Sequence, residues 1–316
     1  MDKWLITDSV HPSAKLQLEA MGFEVDWQPN ISNEEVLNII QDYVGLIIST
    51  KTIINRALID QAVRLKVVGR VGAGMDHIDL NYCQEKGIAC FSSPGGNAGA
   101  VAEHVVGMIL GFSKNIIKAN HQLKNGEWIR FENTGFELKG KTIGIIGFGN
   151  TGSNVAKKLS GFDCEILAYD KYLAHYGNSY TKEAAFEEIV SKADIISFHI
   201  PLTKETHHCI NTAFFDACLK TPLIINASRG DICNTSDLII ALEQKKIRGC
   251  CIDVFEDEPL QEGKVNAYQL YQKLMAFDNV IVSPHIAGWS VEAKRNMVDI
   301  LMDSIRQWLN SANLKK

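Results

Sequence analysis

The strongest constraint on this chain is an alternation of strand-like and helix-like segments that runs twice along its length. Apolar runs at Trp4–Thr7, Phe23–Asp26, Gly45–Ser49, Leu65–Val68 and Ile88–Phe91 have strand length and strand composition. Helix-length segments separate them. In the clearest, Asn33–Asp42, Ser32 and Glu35 stand at capping-box spacing ahead of Val36, Leu37, Ile39 and Ile40. A second series starts at Lys141, with strands expected at Thr142–Ile146, Glu165–Tyr169, Ile195–His199, Leu223–Asn226, Gly249–Asp253 and Val280–Val282. A last helix is expected over Val291–Leu309. Strands joined through helices pair in parallel, and a parallel sheet needs both faces covered. The expected class is therefore α/β, with two doubly wound parallel-sheet domains.

Between the series lies one long helix pattern, from Asn97 to about Lys124, without internal proline. Its apolar positions (Val101, Val105, Val106, Met108, Ile109, Phe112, Ile116, Ile117) cover more than one stripe. Such a helix is buried on several sides, by two domains or by another subunit. With 316 residues and no repeat or linker, the chain reads as two domains that divide near residues 95–100.

Charge narrows the partners. Lys and Arg number 32 against 37 Asp and Glu, a net charge of −5, with no run of five like charges. Nucleic acid and anionic membranes need a concentrated basic face, so neither is expected. The apolar stretches are too short to span a bilayer, and Met1-Asp2-Lys3-Trp4 leads into a strand without a signal-peptide core. Eight cysteines without a C-x-x-C pair or zinc spacing read as free thiols of a cytoplasmic protein with no metal.

Gly147-Phe148-Gly149-Asn150-Thr151-Gly152 follows an apolar strand and opens a helix, and Asp170 ends the next strand 18 positions beyond Gly152. Gly147 permits a tight turn, Gly149 lets a pyrophosphate approach the backbone, and Gly152 lets the helix pack on the strand. The phosphates meet free N–H groups at the positive helix end. Asp170 is placed to accept from the adenosine ribose and to repel a 2′-phosphate, so the expected cofactor is NAD rather than NADP.

Hydride chemistry on a hydroxyl needs a base and a cation. Three strand ends offer them: Asn226-Ala227-Ser228-Arg229-Gly230, Asp253-Val-Phe-Glu-Asp-Glu258-Pro259 and Ser283-Pro284-His285-Ile-Ala-Gly288. With Arg70-Val71-Gly72-Ala73-Gly74-Met-Asp76, Ala102-Glu-His104, the glycine loop and His199-Ile-Pro201-Leu-Thr203, these segments stand in the order and spacing of one family. From about Val44 to Glu292 the chain resembles the D-isomer-specific 2-hydroxyacid dehydrogenases.

That resemblance implies a flavodoxin-like substrate domain (residues 1–97 plus 290–316) and a Rossmann NAD-binding domain (98–289), with the chemistry in the cleft between them. It assigns His285 as acid/base, Glu258 as its paired carboxylate, and Arg229 as binder of the substrate carboxylate and C2 oxygen. A carboxylate beside an imidazole favours the imidazolium. It assigns the backbone of Val71, Gly72, Ala73 and Gly74 to the substrate carboxylate, with Asn97 as a side-chain contact. His199, Pro201, Thr203, Ala227, Asp253 and Gly288 fall where the family contacts the cofactor. His207 and His208 read instead as a solvated turn, and His104 as a packing or interface residue.

The resemblance leaves the substrate open. Phosphate-using relatives often place Arg-Ser after the third strand, where this chain has Ser49-Thr50; Lys51 and Arg70 are the candidate replacements. Pro94-Gly-Gly-Asn97-Ala and His285-Ile-Ala-Gly-Trp289 resemble the erythronate-4-phosphate branch. The expected activity is NAD-linked interconversion of a small D-2-hydroxy acid and its 2-keto acid, phosphoglycerate-like or glycerate/hydroxypyruvate-like. A formate-dehydrogenase-like reading is disfavoured, because those relatives pair the histidine with glutamine. The alternative of another class is a non-enzymatic NAD-sensing scaffold. A homodimer through the helix after Asn97 is expected.

Overall fold

The computed structural model describes residues 1–258 and 265–311, with only the backbone described at 265–268. Pro259 of the third motif and residues 312–316 of the expected substrate domain lie outside the described residues. The chain divides into two compact units, Met1–Asn97 with Trp289–Lys316, and Ala98–Gly288.

The first unit holds β1 (Lys3–Ile6), β2 (Glu24–Trp27), β3 (Gly45–Ile48), β4 (Val67–Arg70) and β5 (Ala89–Phe91). All pair in parallel, in the order β2-β1-β3-β4-β5, which is the flavodoxin-like arrangement. Period-two alternation sends Trp4, Ile6, Ile47 and Val67 to one face. There they pack on Met297, Val298, Leu301, Met302 and Ile305 of the last helix, Val291–Ser311. Leu5, Leu46, Ile48 and Val68 go to the other face, against Val36, Ile40, Leu58 and Cys83. The capping box at Ser32 and Glu35 forms, with both reciprocal hydrogen bonds, but its helix ends at Ile39 and finishes in a 3₁₀ turn.

The second unit holds β6 (Thr142–Ile146), β7 (Glu165–Tyr169), β8 (Lys182–Glu183), β9 (Ile195–Phe198), β10 (Leu223–Asn226), β11 (Gly249–Ile252) and β12 (Val280–Val282). Their order is β12-β11-β10-β9-β6-β7-β8, again all parallel. The chain runs outward from β6 through β7 and β8, then returns to the other side of β6 at β9. That reversal is the switch point at which open α/β sheets place ligands. β8 has two exposed residues and no apolar signature, and is therefore absent from the expected strands.

The long helix is corrected by the structure. It is two helices, Ala98–Ser113 and Ile116–Lys124, bent by 64°. Asn115 takes a left-handed φ of 52°, and the Ser113 carbonyl accepts from the Phe136 N–H instead of from the next helical turn. The first helix buries Val101, Val105, Met108 and Ile109 against β6 and the helix Asn150–Leu159, while the second leaves Ile116, Ile117 and Leu123 exposed. Among the described residues no single helix is long and apolar enough to cross a membrane; the bent pair passes only when its two halves are taken together. All eight cysteines are free thiols.

Leu301 is fully buried against the first sheet. Leu301→Ala should cost about 3 kcal/mol in that unit's stability, measured by urea denaturation. The dissociation constant for NADH should stay within about twofold, because additivity holds for separated sites.

Candidate active site

Six loops leave the C-terminal ends of β6, β7, β9, β10, β11 and β12 on one edge of the second sheet, because every strand there is parallel. They carry Gly147–Gly152, Asp170, His199, Arg229, Glu258 and His285 respectively.

At the β6 end, Gly147 has φ +90°, and a Cβ on it would strike the His199 carbonyl. A Cβ on Gly152 would strike the Gly147 carbonyl, so the helix Asn150–Leu159 abuts the strand end. A Cβ on Gly149 would meet nothing within 4 Å. That open space, at a helix start with no side-chain cap, suits a pyrophosphate. Phe148 is buried and stacked on Tyr176, and its N–H donates to Asp170 Oδ2 at 2.8 Å. The Phe148 amide is thus spent within the protein, and the first intrahelical bond of the helix is Ser153 N–H to the Gly149 carbonyl.

Asp170 Oδ1 accepts from Tyr172 and Leu173 N–H at 2.9 and 3.0 Å. Burial pushes its carboxyl up, but the three backbone donors outweigh that and hold it below the usual range. It is ionised near neutral pH and keeps lone-pair capacity for a ribose hydroxyl.

His199 bonds Ser197 Oγ through Nε2 at 2.9 Å, while its buried Nδ1 has no partner among the described residues. Burial pushes the imidazole down to about 4, so it is neutral near pH 7. An orphaned ring nitrogen beside the glycine loop fits a site completed by a bound dinucleotide. Pro201 and Thr203 belong to a local turn: Thr206 Oγ1 donates to the Pro201 carbonyl at 2.6 Å and bonds Thr203 Oγ1 at 3.1 Å.

Three strands meet at the catalytic candidates. Glu258 Oε2 lies 2.5 Å from His285 Nδ1, and Oε1 accepts from the Phe255 N–H at 2.5 Å. The carboxylate is pinned from behind and presents its other oxygen to the ring. Nε2 of His285 is left to face outward, on a side chain about half exposed. Arg229 Nη1 donates to the Ser228 carbonyl at 2.8 Å, and Asn226 Nδ2 donates to the Arg229 carbonyl at 2.9 Å. Ser228 N–H in turn bonds Asn226 Oδ1, which fixes the turn carrying Ala227 and Arg229.

Asp253, expected as a cofactor contact, is engaged within the protein. It is 1% exposed, and its carboxylate is occupied by the loop of β12. Oδ1 accepts from Ser283 Oγ and from Ile286 N–H, and Oδ2 accepts from Ala287 N–H at 2.8 Å, next to Gly288. The Asp253 carbonyl takes the His285 N–H at 2.7 Å. His285 itself has φ 54°, a conformation costly for a non-glycine residue. His104 Nε2 lies 2.9 Å from Ser283 Oγ, an internal contact between the first of the two bent helices and the loop after β12. His208 lies in the expected turn, but its Nε2 is engaged within the protein, 2.6 Å from Glu256 Oε1.

In the first unit, the loop after β4 uses two of its four amides internally. Val71 N–H donates to the Ile48 carbonyl, and Gly72 N–H to Ser93 Oγ at 2.7 Å. Ala73 and Gly74 keep theirs. Arg70 Nε donates to the Ser49 carbonyl, and its guanidinium occupies the space beside Gly72 where a Cβ would lie. Lys51 Nζ donates to the Pro29 carbonyl at 2.7 Å. Asn97 is half-buried at the end of this unit. Among the described residues no cluster of His, Cys, Asp and Glu is arranged to hold a metal.

A family model described as "D-isomer specific 2-hydroxyacid dehydrogenase, NAD binding domain" matches residues 106–287. The chain belongs to this dehydrogenase family. The matched segment covers the glycine loop, Asp170 and the Arg229, Glu258 and His285 loops, so the second unit is the family's NAD-binding domain and NAD is its cofactor. The chain is 36% identical to D-3-phosphoglycerate dehydrogenase of Methanocaldococcus jannaschii over 98% of its own length and 58% of that protein's. It is 38% identical to glyoxylate reductase of Thermofilum pendens, over 87% of this chain and 80% of that one. It thus spans little more than half the length of the phosphoglycerate dehydrogenases it matches. D-Lactate dehydrogenase of Aquifex aeolicus, solved with NAD and lactic acid, superposes with a TM-score of 0.85 at 26% identity, over 99% of this chain and 97% of that one.

Two outcomes follow from the loop geometry. Gly149→Val should weaken NADH binding at least about tenfold with an unchanged melting temperature, whereas Gly152→Val should lower both, read by fluorescence titration and calorimetry. His199 is held down in the folded state and titrates near its ordinary 6.5 when unfolded. Between those values the unfolded chain binds more protons, so stability falls as pH drops from 6.5 toward 4. The slope should be shallower in His199→Asn, measured by urea denaturation across that window.

Proposed function

We propose that the protein is an NAD(H)-linked oxidoreductase that interconverts a small D-2-hydroxy acid and its 2-keto acid. The observation that carries this reading is the 2.5 Å His285–Glu258 pair on the same sheet edge as the glycine loop. The nicotinamide supplies or accepts a hydride at C4. In the reducing direction, His285 Nε2 would deliver a proton to the C2 oxygen of the keto acid as C2 is reduced. In the oxidising direction His285 takes the hydroxyl proton back. Glu258 holds the ring by Nδ1, leaving Nε2 as the working atom, and offsets the charge of the doubly protonated ring. Arg229 binds the substrate carboxylate and polarises the C2 carbonyl. The amides of Ala73 and Gly74 offer an anion site in the first unit, consistent with the carboxylate contact the family resemblance assigns to this loop.

The substrate class is glycerate/hydroxypyruvate-like or phosphoglycerate-like. The Lys51 contact with Pro29 favours the unphosphorylated member, because it draws one of the two candidate phosphate cations onto a backbone carbonyl. A phosphate-reading second cation would otherwise be expected. The protein is proposed to work as a homodimer in a reducing cytoplasm. Exposed Ile116, Ile117, Leu123, Trp128 and Phe131 on and after the second of the two bent helices support the first, and eight free thiols the second.

NADH oxidation should be seen with at least one of glyoxylate, hydroxypyruvate, 3-phosphohydroxypyruvate and 3-phospho-2-oxo-erythronate. His285→Ala should reduce kcat by about a thousandfold or more, with NADH affinity unchanged. A silent panel with tight NADH binding would favour the scaffold reading. Light scattering should give twice the 35.1 kDa chain mass.

A further inference from the structure

The loops that carry Arg229 and Glu258 touch through backbone. A Cβ on Gly230 would collide with the Phe255 carbonyl and come within 2.5 Å of the Glu256 N, so only glycine lets the two loops lie this close. The loops after β9 and β10 are already laced together, by His208 N–H to the Asp231 carbonyl and Ile210 N–H to the Ile232 carbonyl. The loop after β11 is fastened to this pair by the side chain of Glu256. Oε1 lies 2.6 Å from His208 Nε2, and Oε2 accepts from the Thr235 N–H at 2.8 Å, at the start of the helix Thr235–Glu243. That helix end favours a negative charge. The Glu256 carbonyl accepts from the buried hydroxyl of Tyr271, whose ring packs edge-on against Phe255.

Glu256 is only 19% exposed, and Asp231, beside it, is pushed up by its own burial and then by the Glu256 charge. His207 stacks on His208, and Asp257 adjoins with φ 59°. The carboxylate therefore occupies a crowded position among charged and polar groups. Its effect reaches the reacting groups through the backbone: it fixes residues 255–256, the Phe255 N–H fixes Glu258 Oε1, and Glu258 Oε2 fixes His285.

We propose that Glu256, clasped by His208 and Thr235, is a positioning residue that holds the Arg229 and Glu258 loops in register. The catalytic part of this inference rests on the dehydrogenase reading; the clasp itself does not.

The test compares full-length Glu256→Ala and Glu256→Gln with the parent. In Glu256→Ala, amide exchange in peptides spanning 227–235 and 253–258 should speed up about tenfold, with 143–155 unchanged. In the same variant kcat should fall and KM for the keto acid rise, while NADH affinity holds. Glu256→Gln should recover most of both, since its amide oxygen still accepts from the Thr235 N–H and its nitrogen can still hydrogen-bond the His208 ring. Unchanged exchange in both loops, or acceleration equally spread over 143–155, would overturn the proposal. So would a Gln variant as impaired as the Ala variant. Exchange reports on the clasp with or without turnover, so a parent enzyme silent on every keto acid would overturn the dehydrogenase reading and leave the clasp standing.

Discussion

The carboxylate of Asp253 is buried with a hydroxyl and two backbone N–H groups converging on it, and the rest of the site depends on that arrangement. A charge at 1% exposure is tolerated only while its donors stay in place, since each lost partner costs about 1–3 kcal/mol. All three donors belong to the segment Ser283–Ala287, which carries His285. The same residue's carbonyl holds the His285 N–H, so the histidine is kept in a left-handed conformation that an isolated loop would abandon. Asp253 acts by making one geometry of the next loop much more stable than its alternatives.

Parallel pairing does the rest. Because all strands of the NAD-binding domain point the same way, six loops share one edge, and their functions are ordered along it. Glycine loop, Asp170 and His199 stand on β6, β7 and β9; Arg229, Glu258 and His285 stand on β10, β11 and β12. Short side-chain bridges then lock adjacent loops: Ser228 Oγ to the Phe198 carbonyl, Glu256 to His208 and Thr235, Glu258 to His285. Glu258 and His285 thus hold one another from different strands, and the loop of Arg229 is tied to the end of β9 through Ser228.

Much of this was legible from the sequence because it is local. Four strands of the second series have the expected bounds, Thr142–Ile146, Glu165–Tyr169, Leu223–Asn226 and Val280–Val282, since buried parallel strands are short apolar runs with clear ends. The glycine loop and the three strand-end motifs were likewise carried by contiguous residues. Long-range hydrogen bonding was not legible. Nothing near Gly72 announces that Ser93, 21 residues on, takes its amide, and nothing near His208 points to Glu256. The helix break at Asn115 was hidden because apolar periodicity continues through it, while its cause, the Phe136 N–H on the Ser113 carbonyl, lies in a returning loop. Asp253 was found as a site residue, but its engagement with the following loop needs tertiary structure to see.

In the proposed function, hydride and proton reach C2 and its oxygen so as to give a D-2-hydroxy acid. Reduction of hydroxypyruvate with NADH in which both C4 hydrogens are deuterium, followed by chiral separation and mass spectrometry, tests it directly. The account predicts glycerate of the D configuration carrying deuterium at C2. An L product, or a product without deuterium at C2, would contradict it.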